Sequence, residues 1–566
     1  MGCVASTDNP KKQHSNNNTS TTDKHETDQP TSLPTKTLSV TPQTVHNAIN
    51  YKLHTVSSIP IAIYADSYKA SHYLMYPQCE LMVCYGEFRS GYLKDKTDTR
   101  LIVFGINYLL DNYLNIQWTY NDLYKIELFY STHNIGNTQF PFPKELFIDF
   151  INNNNGYFPV TIEALDDGTV VNAKVPVYQI YARQKYSQLI TFLETIMTQM
   201  WYPSTVATLS RRCKDIIHDG FIRSVDESSY TLLDSRLHDF GFRGCTCVEQ
   251  SIIGGTSHLL NFTGSDTMSA AYYTQYQLNL GNPVASSIPA TEHSVMTSYI
   301  DEQTAIETMI DKFGGPGCVF SIVMDSYDYT NALYNILPRI AARHMNKGGV
   351  MVLRPDSGDP VECIIEALTA CEKIFGVKIN GKGYKVVQHI GVIQGDGINI
   401  NTIRAIIDAV ISAGYSTENV AFGMGGGLLQ RVNRDTMSFA TKLSHAVYNI
   451  NDERKIIDVM KKPKTDVTKN SYPGIISVVR DDRTGAIQVL PRHDKQTVAN
   501  NMLKVVYDNG PIKRKLLSFD ELKQKVEREW SLCPLTQNVV SAELQLKTDQ
   551  WIDEFNKRRA ADRQAL

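Results

Sequence analysis

Glycines and charged side chains gather at four points of this chain, each where an apolar run gives way to a polar loop. The densest is Asn419–Arg434, read as Asn-Val-Ala-Phe-Gly-Met-Gly-Gly-Gly-Leu-Leu-Gln-Arg-Val-Asn-Arg. Val420 to Phe422 reads as the end of a buried strand. Gly423, Gly425, Gly426 and Gly427 read as a loop, and Leu428 onward as a helix start. Bare backbone N–H groups at a helix start form an anion site, over which Arg431 and Arg434 would close. A tight glycine-rich turn explains the same residues without a ligand. The dinucleotide fingerprint fails because Leu428 stands where its third glycine belongs, and no lysine follows as in a P-loop. The expected ligand is a single phosphate group.

Three earlier strand ends carry the same kind of residue. Cys318 to Met324 ends at Asp325, and Gly349 to Leu353 ends at Arg354-Pro355-Asp356-Ser357-Gly358. Ile390 to Ile393 ends at Gln394-Gly395-Asp396-Gly397. Helical periodicity follows each end, over Tyr329 to His344, Val361 to Phe375 and Ile400 to Ala413. One aspartate after a strand is ordinarily a helix N-cap. Four successive ends that include an arginine ask for more, and in a βα barrel such ends form the rim where a site is built. The pattern favours one rim binding a polyanion.

The elements before this region are of a different kind. Ile59 to Lys69 looks like a strand delivering Asp66, Ser67 and Tyr68 to a loop, and Met82 to Tyr85 is strand-like, with Glu87 and Arg89 following. Leu101 to Leu114 has helical periodicity, and Val160 to Tyr181 alternates like strands around a turn at Gly168. Gln188 to Met200 reads as an amphipathic helix. After Asp435 strand-like pieces return, at Gly474 to Arg480 and Ala486 to Leu490. Lys461, Lys462 and Lys464 form a basic loop, and the tail from Asp549 reads as a charged helix.

The totals narrow the function classes. A chain of 566 residues needs more than one core, and its 42% hydrophobic and 20% charged content describes a soluble globular protein. A net charge of -3 gives no general reason to expect nucleic-acid binding. Ten scattered cysteines without a CxxC pair suit reduced thiols in the cytoplasm. Residues 1–58 are rich in Asn, Thr, Ser and Lys and are expected to be disordered. They open with Met1-Gly2-Cys3-Val4-Ala5-Ser6, which matches the N-myristoylation pattern at Gly2 and places Cys3 for palmitoylation, so membrane association is an expectation here.

Several motifs occur in one order: Asp66-Ser67-Tyr68-Lys69, Trp201-Tyr202-Pro203, His238-Asp239-Phe240-Gly241-Phe242-Arg243-Gly244, Gly264-Ser265-Asp266-Thr267, Glu292-His293-Ser294, and the three rim motifs ending in the Gly423 loop. That order resembles the nicotinate/nicotinamide phosphoribosyltransferase family, on its nicotinamide branch, over residues 60–530 or so. Met424 and Thr291 depart from the family, which tends to have serine and alanine there; neither change removes a charged group.

The resemblance implies an α/β fold, an irregular (β/α) barrel with a flanking α+β domain built from both ends of the chain. Together with the composition of the two ends, the expected division is an extension (1–58), the α+β domain (59–185), the barrel (186–435), a return to the α+β domain (436–545) and a charged tail (546–566). It implies a homodimer with shared sites, acting on nicotinamide and phosphoribosyl pyrophosphate, with Mg2+ accompanying the diphosphate and ATP as co-substrate. By similarity, Arg243 and Arg354 would hold phosphate oxygens, and Asp356 the ribose hydroxyls or the metal-bound diphosphate. Gly395, Asp396, Gly425 and Gly426 would receive the 5′-phosphate, with Arg434 adding charge. Phe240 and a partner copy's Tyr68 would stack the nicotinamide ring, beside Ser321, and Asp266 would accept from its carboxamide. His293 would be phosphorylated by ATP, oriented by Asp325 or Glu292. Arg89, Lys442 and Lys461 would reach the site from the partner copy. No dedicated protein ligand set for a metal is implied.

Three other readings were open. Nicotinate phosphoribosyltransferase shares the fold, but Asp266 would repel a second carboxylate. A phosphate-binding aldolase wants a lysine at a strand end, and none of the four ends carries one. A non-catalytic, membrane-associated signalling protein should have lost the charged rim.

Overall fold

The computed structural model describes residues 59–450, 453–463, 469–481, 483–492 and 500–564. Gly2 and Cys3 lie outside the described residues. Among these residues no helix is long and apolar enough to cross a membrane.

Buried aliphatic runs build a parallel sheet, as continuous apolar strands with helices on their faces must. Five strands lie in the order Leu237–Asp239, Val420–Met424, Ile390–Gln394, Val350–Arg354 and Val319–Val323. Neighbours are parallel and in register, for example Met424 with Asp239 and Val323 with Arg354. Parallel bridges then carry the ring round from its last strand to its first. Ser321 pairs with Ala290, Ser286 with Gly264, and Ser265 with Asp239. The irregular barrel expected from the sequence is therefore present, with two of its staves reduced to single bridges.

The two ends of the chain share a second, antiparallel sheet of six strands. Leu81–Phe88 from the N-terminal part pairs on one side with Phe439–Ile450 and on the other with Pro176–Arg183. Lys504–Asp508 closes the far edge against Val160–Ala164. Gly168 sits in the expected turn with φ of +77°. The helix Trp201–Ser224 ties a separate two-stranded ribbon, Arg100–Val103 with Thr169–Asn172, to the barrel: its Ser204 and Thr208 hydroxyls accept the N–H groups of Phe104 and Ile102, and its Tyr202 hydroxyl donates to the Leu429 carbonyl at 3.0 Å.

Several local expectations fail for identifiable reasons. Ile59 to Lys69 is not a strand: Ile61–Ile63 forms a 3-10 turn capped by Pro60, and Ser67–Ser71 a helical turn. Proline lacks the N–H a ladder needs. Leu101–Val103 belongs to the strand Arg100–Val103, and helix begins only at Ile106, because Gly105 turns the chain at a φ of +108°. Gln188 to Met200 breaks into a 3-10 turn ending at Leu189 and a helix over Glu194–Thr198. Leu189, Ile190, Phe192 and Leu193 are all buried, which one helical stripe does not allow. The next helix starts at Trp201, with Pro203 in its first turn.

Candidate active site

The C-terminal ends of the parallel strands open on a single cavity of about 1060 Å³. Alternation along Leu237–Asp239 and the residue after it sends His238 and Phe240 to the cavity, while Asp239 between them is fully buried. Of the residues singled out in the sequence, Phe240, Arg243, Asp266, Glu292, His293, Ser321, Arg354, Asp356, Gly395, Asp396 and Gly425 line this one space.

The glycine loop is built differently from the expectation. Gly423 and Met424 still belong to the strand, and the helix after it, Gly426–Leu429, is a single turn. A helix that short has little macrodipole, so the anion argument reduces to bare N–H groups around Gly425. Gly423 has another purpose. A Cβ there would lie 2.0 Å from Cε2 of Phe240, so only glycine lets that ring lie against the strand. The ring is fixed from its backbone as well: Phe240 N–H donates to the Met424 carbonyl at 3.0 Å, and Gln430 Nε2 donates to the Gly241 carbonyl at 2.8 Å. Beside it, Asp266 Oδ1 accepts from the Ser287 hydroxyl, and the exposed carboxylate faces the cavity.

A cationic corner lies beside the ring, at Gly395. A Cβ at Gly395 would meet Asp356 Oδ1 at 3.2 Å, Phe240 at 3.4 Å and Arg354 at 3.7 Å, so this glycine is where the two halves of the site touch. Arg354 Nη1 donates to Asp356 Oδ1 at 3.3 Å and its Nη2 to the Thr291 carbonyl at 3.1 Å. Its guanidinium is thereby aimed, with donors left for an anion. Ser321 is buried, with its hydroxyl donating to the Val352 carbonyl.

His293 opens the short helix His293–Thr297. Its Nε2 is 3.2 Å from Asp325 Oδ1, and its side chain is 47% exposed against 3% for Asp325. Asp325 Oδ2 accepts from the Asp356 N–H at 3.1 Å and the Ser357 hydroxyl at 2.6 Å. A rigid, buried carboxylate thus orients an exposed imidazole through Nε2; in the neutral ring such a partner selects the Nε2–H tautomer and leaves the lone pair on Nδ1. Glu292 does not share this task. Its carboxylate accepts from the neighbouring Ser294 hydroxyl.

Other expected residues lie apart. Arg434 is on the surface, 58% exposed and 3.4 Å from Asp435, and it does not line the cavity. Gly426 stands one residue behind the wall. Arg89, Lys442 and Lys461 lie on or just after strands of the antiparallel sheet, and Tyr68 on the helical turn Ser67–Ser71. Tyr68 is 55% exposed and packs against His72. Arg89 Nε donates to the Ser438 carbonyl at 2.9 Å. Burial, with Arg89 next, pushes Lys442 down to about 8. Residues given no site role from the sequence also line the cavity, among them His238, Ile288 and Thr291. The period-2 placement of His238 with Phe240 was the available signal; Ile288 and Thr291 lie on or beside a stave too short to read as a strand.

Asp356 and Asp396 reach the cavity singly from different strand ends. Such a donor set fits a Mg2+ ion that keeps most of its waters and arrives with a diphosphate.

Comparison with known proteins agrees with this geometry. Residues 60–162 match the profile described as nicotinamide phosphoribosyltransferase, N-terminal domain, and residues 235–511 that of the nicotinate phosphoribosyltransferase family. The nicotinamide phosphoribosyltransferase of Xanthomonas campestris is 37% identical over 458 residues, which cover 79% of this chain and 94% of that protein. That of Acinetobacter baylyi is 27% identical over 498 residues, covering 82% and 96%. Human nicotinic acid phosphoribosyltransferase has the same fold, with a TM-score of 0.52 at 16% identity over 86% of this chain and 99% of that one. The nicotinate-nucleotide pyrophosphorylase of Pyrococcus furiosus is as similar, at a TM-score of 0.52 and 14% identity over 85% and 98%. A rim that gathers an aromatic wall, a carboxylate beside it and an aimed arginine, on a chain related over most of its length to such enzymes, places it in the nicotinamide phosphoribosyltransferase family of pentosyltransferases.

Proposed function

We propose that this protein joins nicotinamide to phosphoribosyl pyrophosphate, giving nicotinamide mononucleotide and diphosphate for NAD synthesis, and couples the reaction to ATP through phosphorylated His293. The observation that carries the reading is the single cavity in which Phe240 and Asp266 meet Arg354, Asp356 and His293.

The ring nitrogen attacks the anomeric carbon as the bond to diphosphate breaks, with the departing oxygen keeping the electron pair. Glycosyl transfers of this kind pass through an oxocarbenium-like state. Arg354 and Arg243 neutralise charge growing on the leaving group, Asp356 holds ribose hydroxyls, and the N–H groups near Gly395, Asp396 and Gly425 receive the 5′-phosphate. Mg2+ bound with the diphosphate would supply further charge neutralisation near Asp356. Phe240 and Asp266 aim the weak neutral nucleophile, which is where orientation matters most. Arg434 is left out of this assignment because of its place on the surface, and Glu292 is not given the orienting role.

Tyr68, Arg89, Lys442 and Lys461 are assigned to the cavity of a second copy in a homodimer. Support comes from the exposure of Tyr68 and from the crowding of Arg89 and Lys461 around the half-buried Lys442, away from this chain's own cavity. For energy coupling, the Nδ1 lone pair of His293 attacks the γ-phosphorus of ATP, the bond to the bridging oxygen breaks and ADP departs with its electron pair, while Asp325 accepts from Nε2–H.

Two substitutions test the two halves of the reading. Asp266→Ser should narrow the preference for nicotinamide over nicotinate by at least about tenfold, measured as a ratio of kcat/KM, because the charge that repels nicotinate is gone. Unchanged selectivity would count against the role of Asp266. His293→Ala should lower ATP hydrolysis by about 100-fold or more and leave a slower, ATP-independent transfer. If the variant hydrolyses ATP at the normal rate, His293 is not the phosphoryl acceptor.

A further inference from the structure

Asp239 ends the strand Leu237–Asp239, is fully buried, and stands behind the cavity rather than in it. Its backbone and side chain nevertheless hold both segments that line the nicotinamide side. The Asp239 N–H donates to the Gly264 carbonyl at 3.2 Å, and the Asp239 carbonyl accepts from the Asp266 N–H at 3.0 Å. Its Oδ1 accepts from the Gly241 N–H at 2.7 Å. That last bond spans two residues, an Asx turn that folds the chain back directly after Phe240. The turn is packed without slack: a Cβ at Gly241 would lie 3.1 Å from Asp239 Oδ1 and 2.7 Å from Leu429.

The other carboxylate oxygen is in an unusual position. Oδ2 faces the buried helix Val248–Leu259, where a Cβ at Gly255 would be 3.0 Å away. Neither Oδ2 nor the buried Thr267 hydroxyl has a well-aligned hydrogen-bond partner. Burial pushes the carboxyl up to about 6, with the Asp266 charge adding to the rise, while the Gly241 N–H and Thr267 hold it down. A buried carboxyl is costly to stability, so a fold that keeps one places it where its geometry is used.

We infer that Asp239 is a positioning residue for the nicotinamide end of the site, its carboxylate folding back the Phe240–Arg243 turn while its backbone N–H and carbonyl pin the Gly264–Asp266 segment alongside, so that ring and carboxamide are read together. The inference rests on the function proposed above. It weighs more on nicotinamide than on phosphoribosyl pyrophosphate: Arg243 belongs to the same turn, but the Arg354 corner hangs on Thr291 and Asp356 and not on Asp239.

The test is steady-state kinetics on the full chain with both substrates, and calorimetric binding of nicotinamide. Asp239→Ala removes the acceptor for the Gly241 N–H and should raise the KM for nicotinamide by about tenfold to a hundredfold, with a clearly smaller rise in the KM for phosphoribosyl pyrophosphate, through Arg243 alone. Asp239→Asn should recover most of the loss, since its Oδ1 still accepts from Gly241 and its Nδ2 can donate to Thr267. Asp239→Glu keeps the charge but not the reach of the turn; it should resemble alanine and serves if the alanine variant does not fold. An unchanged nicotinamide KM in the alanine or glutamate variant overturns the inference, as does an equal shift for both substrates or an asparagine variant as impaired as alanine. Wild-type turnover with any of these results leaves the proposed function standing. Wild-type protein that binds no nicotinamide overturns both.

Discussion

Replacing Arg354 with alanine is expected to lower kcat/KM for phosphoribosyl pyrophosphate by about three orders of magnitude, or about 4 kcal/mol. The size follows from how the guanidinium is held. It is 17% exposed, donates to Asp356 and to the Thr291 carbonyl, and offers its remaining donors to the cavity. Its removal takes away charge where the leaving group gains it. It also leaves Asp356 unopposed next to a polyanionic substrate. Because Thr291 directly precedes Glu292 and His293, ATP hydrolysis should fall in the same variant. Arg354→Lys keeps the charge but cannot hold both partners with one planar fork, and a loss of about tenfold to a hundredfold is expected. Thermal unfolding establishes that the variants are folded. If Arg354→Ala changes kcat/KM by less than about fivefold, the diphosphate lies elsewhere.

Gly423→Ala is expected to cut kcat/KM for nicotinamide by about a hundredfold while leaving the KM for phosphoribosyl pyrophosphate nearly unchanged. Gly423 is in an ordinary strand conformation, so the cost is steric. The new methyl would stand 2.0, 2.2 and 2.7 Å from three atoms of the Phe240 ring. Either the ring leaves its place or the strand does, with a stability loss of about 1–3 kcal/mol. The double variant Gly423→Ala/Phe240→Leu separates the effects: it should recover melting temperature but not nicotinamide affinity. A single variant with normal nicotinamide kinetics would show that the ring's position is unimportant.

These two residues also mark what could and could not be read from the sequence. Arg354 and Asp356 were legible because a buried strand ending in Arg-Pro-Asp-Ser-Gly is anomalous as a mere helix cap. The parallel strands were legible for the same reason, as apolar runs with a polar stop. Gly423 was legible as a glycine but not in its purpose. The phosphate reading came from the residues beside it in the chain, whereas its tightest neighbour, Phe240, is far away in sequence. The staves around Gly264 and Ser286 pair through single bridges and have no period to detect. The buried stretch around Leu189–Leu193 misled because burial on all sides imitates one amphipathic face over a short window. Glu292 and Asp325 could not be separated as partners of His293 by spacing alone. Only the fold brings Asp325 to within 3.2 Å and turns Glu292 onto Ser294.

The most direct measurement is product analysis after incubation of the purified chain with phosphoribosyl pyrophosphate, Mg2+, ATP and either nicotinamide or nicotinate. The arrangement of Phe240, Asp266 and Arg354 predicts nicotinamide mononucleotide in the first reaction, with the corresponding nicotinate product formed at least about a hundredfold more slowly in the second. Nicotinate used as readily as nicotinamide, or no mononucleotide from either, would contradict it.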